Sequence, residues 1–329
     1  MKKLVLIFVV VATVAIVFST IRHRLDKDGA EKKIIISGAW ALYPITIKWA
    51  EEFQKIHPDV KIDISAGGAG KGMADALAEI VDIGNVSRQI FDDEINKGAW
   101  WVPVAKDAVV ATINPGNPEI DKILKRGLRK EDLSNIWINE TLNDWQSIVD
   151  CEESLGINVY TRSDSCGAAE TWANSLGGKQ EDLNGIGVYG DPGLADAVKR
   201  DDLSIGFNNI NYAYDSKTRK QIDGITIVPL DLNGSGRIDP DEDFYDTLDQ
   251  ITEAISEGIY PSPPARELNF VSQGVPKKKI VREFIRWVLT DGQQYIAEAG
   301  YISVAPDRLQ ESLGMLDEQW KNYNDNEEN

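Results

Sequence analysis

Apolar and polar positions along residues 33–113 switch repeatedly between two periods. Lys33 to Ser37 is an apolar run of strand length, and Pro44 opens a segment in which Trp49, Phe53 and Ile56 recur at helical spacing. Ile56-His57-Pro58-Asp59 reads as the stop of that helix. Val60 to Ser65 alternates through Val60, Ile62 and Ile64, and the glycine-rich turn Gly67-Gly68-Ala69-Gly70-Lys71-Gly72 leads into a predicted helix from Met73 to about Ile80. Strands over Val81 to Gly84 and Ala108 to Ile113 continue the order. Strand, turn, helix, strand in repetition predicts an α/β class with a largely parallel sheet and helices on both faces. In that class ligands sit at strand C-terminal ends and helix N-termini.

Two breakers divide the pattern, Asn114-Pro115-Gly116-Asn117-Pro118 and Tyr260-Pro261-Ser262-Pro263-Pro264. Between them lies a second α/β stretch, with a strand from Asn158 to Thr161, a helix from Ala168 to Leu176 and a strand from Thr226 to Pro229. After them Leu268 to Ser272 reads as a strand and Val281 to Thr290 as a helix. The expectation is one lobe made of residues 33–113 and 263–320, a second made of 114–262, and a frayed tail from Asn322. Before the first strand, Lys2 and Lys3 precede eighteen uncharged residues, Leu4 to Ile21, closed by Arg22, His23 and Arg24. Residues 1–24 therefore read as a signal anchor whose helix just spans a bilayer, with a cleaved signal peptide as the alternative. No Cys follows for a lipoprotein anchor, and Val14 to Thr20 offers no convincing small-residue cleavage site.

Composition narrows the function. The 329 residues carry 35 Lys+Arg against 53 Asp+Glu, a formal charge of -18, and are 42% hydrophobic. That apolar fraction excludes a disordered acidic tail and a small disulfide-stapled module. The acidic excess, deeper still once the basic residues of 1–24 are set aside, argues against a nucleic-acid partner. Two histidines and two cysteines leave little for a His-based metal centre or a catalytic triad.

Three strand-to-helix turns share one design, small residues followed at once by a helix. They are Ser37-Gly38-Ala39-Trp40-Ala41-Leu42-Tyr43-Pro44, the glycine turn at 67–72, and Arg162-Ser163-Asp164-Ser165-Cys166-Gly167-Ala168. A helix start presents unpaired N–H groups and the positive end of a dipole, so three converging starts would make an anion cradle. One such turn alone usually only reverses the chain.

These motifs, in order with Trp49-Ala50-Glu51-Glu52-Phe53 and Val81-Asp82-Ile83-Gly84-Asn85-Val86-Ser87-Arg88, resemble the phosphate-binding protein of phosphate ABC transporters. Ser204-Ile205-Gly206-Phe207, Gly292-Gln293 and Ala299-Gly300-Tyr301 extend the resemblance over about residues 34–305. It implies a two-lobed fold like the type II periplasmic binding proteins, with hinge crossovers, that closes around one oxyanion. It also implies an exported solute-binding protein rather than an enzyme, monomeric, at the cell surface or in the periplasm, with the membrane subunits of an ABC permease as partner.

Carried across position by position, the resemblance assigns backbone N–H donors to Ala41, Leu42 and Tyr43, and the second turn to Ala69, Gly70 and Lys71. It places Ser87 and Arg88 after the third strand, and Arg162, Cys166, Gly167 and Ala168 in the second lobe, with Asp164 orienting Arg162. Hydroxyl side chains favoured by the family are missing at Ala41 or Leu42, Ala69, Cys166 and Ala168, and Ser87-Arg88 stands nearest the usual acidic acceptor. Phosphate is the first expectation; sulfate, molybdate or tungstate remain alternatives, as does a calcium-dependent adhesion or signalling protein reusing the fold. Lys71 reads equally as a solvated side chain, and Arg162 with Asp164 as a surface ion pair worth about 1 kcal/mol at most.

Asp231-Leu232-Asn233-Gly234-Ser235-Gly236-Arg237-Ile238-Asp239-Pro240-Asp241-Glu242 matches a twelve-residue EF-hand loop. Asp231, Asn233, Ser235, the Arg237 carbonyl, Asp239 and Glu242 would hold structural Ca2+, although a strand rather than a helix precedes them. Cys151 and Cys166 are read either as a disulfide or as free thiols, in which case Cys166 at a helix N-terminus is expected to have a lowered pKa and to be reactive.

Overall fold

The computed structural model describes residues 32–327, with side chains to residue 318. Its first unit runs β1 (Lys33–Gly38), α1 (Tyr43–Ile56), β2 (Lys61–Ala66), α2 (Ala69–Leu77), β3 (Ile83–Val86), α3 (Asp92–Asn96) and β4 (Ala99–Ile113). Pro44 lies in the first turn of α1, where its missing N–H has no intrahelical partner to lose. Trp49 and Phe53, four residues apart on one face, are both buried, and the helix stops at His57, whose N–H reaches Phe53 O at 3.0 Å. The indole of Trp49 donates to Gly292 O at 2.8 Å, tying α1 to the returning chain.

The second unit runs α4 (Ile120–Arg126), α5 (Lys130–Trp137), β5 (Asn158–Arg162), α6 (Gly167–Leu176), β6 (Ile186–Val188), α7 (Gly190–Lys199), β7 (Ser204–Asn209), α8 (Ile210–Ala213), β8 (Thr226–Ile227) and α9 (Leu248–Ser256). The chain then returns through β9 (Ala265–Gln273), α10 (Lys279–Leu289) and α11 (Pro306–Glu327), the last reaching beyond the point where the sequence suggests fraying.

The strands form one path, β2-β1-β3-β9-β4-β7-β5-β6, with β8 on β4. Pairing is parallel for β1 with β2 and β3, and for β5 with β6 and β7. The expected parallel sheet thus holds within each lobe, while β4 and β9 are antiparallel to each other and to their neighbours. The first part of β4 pairs with β9 and the second with β7 and β8, so this strand belongs to both lobes. The core divides in step: Ala105 and Leu268 pack with the first lobe, Ala108 and Ala265 with the second. The change of core falls inside the crossing strands, at 106–107 and 266–267. The sequence expectation sets it at the Pro/Gly breakers, after 113 and before 263; the charged pairs Lys106-Asp107 and Arg266-Glu267 stand at the change of core inside the strands, where punctuation gives no mark.

The glycine turn starts a helix earlier than expected, since α2 begins at Ala69 and not at Met73. Its glycines allow the helix to lie directly on the sheet. A Cβ on Gly72 would stand 2.4 Å from Asn85 O, and one on Gly84 2.2 Å from Gly72 O. No helix among the described residues is long and apolar enough to cross a membrane. The expected anchor, residues 1–24, lies outside the described residues.

Gly84→Ala is expected to destabilise the fold by about 2 kcal/mol, the cost of forcing an extra methyl into a filled core. Urea unfolding should show a lower midpoint at unchanged slope. A wild-type midpoint would contradict the close contact of α2 with β3.

Candidate functional site

Three loops of the first lobe are tied together at the strand ends. Gly67 and Gly68 donate backbone N–H groups to Gly38 O at 2.9 and 3.1 Å, and Ala39 donates to Asn85 O at 2.8 Å. The buried Tyr301 hydroxyl donates to Ala41 O at 2.7 Å, which explains why Ala299-Gly300-Tyr301 accompanies the first turn so far away in sequence. The second lobe presents the end of β5 and the start of α6 directly opposite. Gly70 N–H reaches Ser165 O at 3.3 Å across the cleft. A Cβ on Gly68 would stand 2.6 Å from Ser165 O, and one on Gly167 2.2 Å from Ser87 O. Trp40 covers Gly190 at the start of α7, and Tyr212 donates to Trp40 O at 3.1 Å. The lobes are closed on one another.

Arg162 lies at this junction with its side chain only 1% exposed. Its Nε and Nη2 donate to the two carboxylate oxygens of Asp164 at 2.8 and 2.7 Å, and Nη1 donates to Asp191 at 2.6 Å. Burial works against its charge, but Asp191 and then Asp164 outweigh that and hold its pKa above the usual arginine range. Asp164 also accepts the Gly190 N–H at 3.1 Å, and Asp191 accepts from Asn209 at 2.6 Å. The bland reading of Arg162 and Asp164 as a surface pair is therefore excluded. Burial pushes the neighbouring Cys166 thiol up to about 12, the opposite of the lowered, reactive thiol expected at a helix N-terminus, so it stays protonated at neutral pH.

Of the expected site residues, Gly70 and Ser87 of the first lobe touch Ser165 and Gly167 of the second, beside Arg162, Asp164 and Cys166; Ala41 and Leu42 pack in the first-lobe core, and Tyr43, Ala69 and Ala168 stand at the starts of α1, α2 and α6. Several of their backbone donors are already engaged within the protein. Leu42 N–H goes to Ala39 O, Tyr43 N–H to Trp40 O, and Cys166 N–H to the Gln180 side chain. Ala69, Gly167 and Ala168 occupy first-turn positions of α2 and α6, where an N–H has no intrahelical acceptor.

Lys71 and Arg88 do not supply the expected cations. Lys71 pairs with Asp75 one turn along α2, and its side chain is 47% exposed. Arg88 forms a two-pronged pair with Glu94 at 2.7 and 2.9 Å and stacks on Phe91. Each finds a carboxylate within its own helix or the next, a local partner that outcompetes the cleft. Asp191, Asn209, Gln180 and Trp40 were missed. Only Asp191, in the turn Tyr189-Gly190-Asp191-Pro192, carried a signal, being a small-residue helix start like the other three.

The EF-hand-like loop lies apart from this cleft and follows β8. Asp231 and Glu242 are buried and point into the loop. Asp231 accepts the N–H groups of Ser235 and Gly236, and Glu242 those of Leu232, Asn233 and Asp239. Asn233 donates to Asp239, Ser235 to Arg237 O, and the Arg237 guanidinium to Asp239. Among the described residues no three His, Cys, Asp or Glu side chains gather as a metal-holding group.

Comparison with known proteins agrees with the resemblance drawn from the motifs. A family model described as a PBP superfamily domain matches residues 26–292. The "Phosphate-binding protein PstS" of Methanocaldococcus jannaschii is 26% identical, over 79% of this chain and 79% of its own. The protein of that name from Xylella fastidiosa (strain Temecula1) is 24% identical, over 85% and 84%. Among solved structures, a putative phosphate ABC transporter substrate-binding protein with bound phosphate from Clostridium perfringens superposes with a TM-score of 0.68 at 21% identity. It covers 83% of this chain and 100% of its own. An ABC-type phosphate transport receptor from Vibrio cholerae gives 0.59 at 19% identity, over 82% and 100%. At these identities the two structures speak for the fold.

Cys151 and Cys166 are both free and buried, which decides between the two readings of the pair. A thiol reagent is expected to count two thiols per chain in denaturant and to react slowly with the native protein near neutral pH. Thiols absent from the unfolded, unreduced chain would contradict this.

Proposed function

The chain belongs to the PBP superfamily, and from that premise we propose that it is an exported solute-binding protein of an ABC importer. It captures inorganic phosphate, or a similar tetrahedral oxyanion, non-covalently between its two lobes. The observation that carries this reading is the meeting of the Gly67–Lys71 turn, the Ser87 loop and the start of α6 around buried Arg162. The relatives named phosphate-binding proteins and the structural neighbour with bound phosphate favour phosphate among the oxyanions.

The field in the cleft is not simply cationic, because Arg162 is already balanced by Asp164 and Asp191. The anion would rest on oriented N–H groups of Ala69, Gly167 and Ala168, whose dipoles count for more once closure excludes water. The same carboxylates bear on specificity. A protonated phosphate oxygen can donate to a carboxylate, whereas fully ionised sulfate meets only repulsion there. In this reading residues 4–21 anchor the chain or lead its export, a permease receives the ion from the monomer, and no covalent step is involved.

Calcium is a further part of the proposal. Its support is the in-register match of loop 231–242 and the inward burial of Asp231 and Glu242. Asp231, Asn233, Ser235, the Arg237 carbonyl, Asp239 and Glu242 would hold the ion, exchanging the loop's internal hydrogen bonds for metal ligands. Calcium would add stability by mass action, without touching the cleft.

Thermal shift with phosphate, sulfate, molybdate and tungstate tests the main reading. Phosphate is expected to raise the melting temperature, corresponding to about 4 kcal/mol at a thousandfold excess over Kd. Arg162→Lys, which keeps charge but not the fork, should weaken the response at least about tenfold in affinity. Indifference of the wild type to every anion would overturn the reading and favour the adhesion or signalling alternative. For calcium, chelation is expected to lower the melting temperature while leaving phosphate binding intact. An unchanged melt after confirmed metal removal would remove that part.

A further inference from the structure

Arg266 sits at the middle of the molecule and has no part in the oxyanion reading so far. It lies on β9 directly opposite Asp107 on β4, so the two residues face each other across the crossing strands. Both are buried, Asp107 completely. Nε of Arg266 donates to Asp107 Oδ1 at 2.9 Å and Nη2 to Oδ2 at 3.4 Å. The rest of the guanidinium turns into the second lobe. Nη1 donates to Gly167 O at 2.5 Å and Thr171 Oγ1 at 3.0 Å, both on α6, and Nη2 donates to the Asn209 side-chain oxygen. Asn209 in turn donates to Asp191, which holds Arg162.

We propose that Arg266 is a positioning residue for anion binding. Fixed to both crossing strands, it holds the first carbonyl of α6 directly and Arg162 through Asn209 and Asp191. This rests on the oxyanion reading above and adds the element that fixes the second-lobe half of the cradle to the hinge. The geometry is specific to an arginine: one planar fork serves a carboxylate, a main-chain carbonyl, a hydroxyl and an amide oxygen at once, which an ammonium cannot reproduce. The charge count matters as well. Asp107, Asp164 and Asp191 face Arg162 and Arg266, so the buried network carries three acids and two bases. Removing Arg266 leaves a larger acidic excess beside the anion's place.

Two effects follow from the Arg266→Met variant, one mechanical and one electrostatic. Without ligand, amide hydrogen exchange should quicken at residues 166–172 and around 189–192, where the network is attached, and stay near wild type in the first lobe. With inorganic phosphate as the probe, affinity should fall about tenfold at about pH 8, within the range known for substitutions along coupling networks. The deficit relative to wild type should shrink on acidification to about pH 6, as Asp107, which has lost its cation, takes up a proton. The titratable and charged groups facing this network are Asp107 on β4, Arg266 on β9, Arg162, Asp164 and Cys166 around β5 and α6, Asp191 on α7, Tyr212 on α8 and Tyr301. Burial pushes Asp107 up to about 6 against the pull of Arg266, and the tyrosines and Cys166 stay neutral over this window. Taking the ratio of variant to wild type cancels phosphate's own titration.

Should Arg266→Met fold poorly, Asp107→Asn combined with Arg266→Met removes the buried pair together, and Arg266→Lys keeps the charge without the fork. Under the proposal Arg266→Lys still loosens exchange at the start of α6 but shows a smaller, pH-independent loss of affinity. Unchanged exchange at residues 166–172, or phosphate affinity equal to wild type across the pH range, would overturn it. If the wild type binds no phosphate, the functional reading fails by that result, and the exchange measurement alone decides whether Arg266 holds the start of α6.

Discussion

Arg162 carries a full positive charge where water scarcely reaches it, and the arrangement of the second lobe follows from making that tolerable. A buried cation without partners would cost several kcal/mol. Asp164 and Asp191 together take three of its five N–H bonds, and each is secured in turn by Gly190 or Asn209. The positions of β5, the α6 start, the α7 start and the end of β7 are therefore mutually dependent. An oxyanion entering between the lobes would meet donors that need little rearrangement, the condition under which fixed dipoles replace a hydration shell with least loss.

The first lobe reaches the same place by different means. Among the described residues it contributes no buried cation to the junction; Lys71 and Arg88 are held elsewhere by Asp75 and Glu94. Its contribution is backbone brought close. Gly38, Gly72 and Gly84 let α2 lie against β1 and β3, and Gly68 and Gly70 let the α2 start touch Ser165 of the other lobe. Side chains with hydroxyl groups at Ala69 or Ala168 would add donors but are not needed for these approaches. The lobes are joined by β4 and β9, which pair from Ala99 to Ala108 with one register shift between Pro103 and Ala105, so the crossing is paired strand and not a loose linker.

The motifs legible in the sequence are those whose chemistry is local. Glycines at a strand end, a proline opening α1 and an arginine two residues before an aspartate all act on near neighbours, and Gly68 and Gly70 do lie against Asp164 and Ser165. Arg266 and Asp107, by contrast, lie 159 residues apart and are brought together by the pairing of β9 with β4. No period or motif announces such a pair. Lobe boundaries were read from Pro/Gly punctuation, but β4 changes cores without interrupting its strand, so the punctuation marks the ends of the crossing and not the pivot. Arg88 reads as a site cation because nothing in the sequence shows that Glu94, six residues on, folds back beside it; Lys71 reads equally as a solvated side chain, and its partner Asp75 stands at the i+4 spacing of a helix.

On the proposed reading, the start of α2, the Ser87 loop and the start of α6 close around an oxyanion beside Arg162. A crystal structure of the protein grown in phosphate tests it most directly. One tetrahedral anion is expected within hydrogen-bond distance of Arg162 and of the N–H groups of Ala69, Gly167 and Ala168. Phosphate bound only elsewhere, with the lobes meeting as they do here and no anion between them, would contradict it.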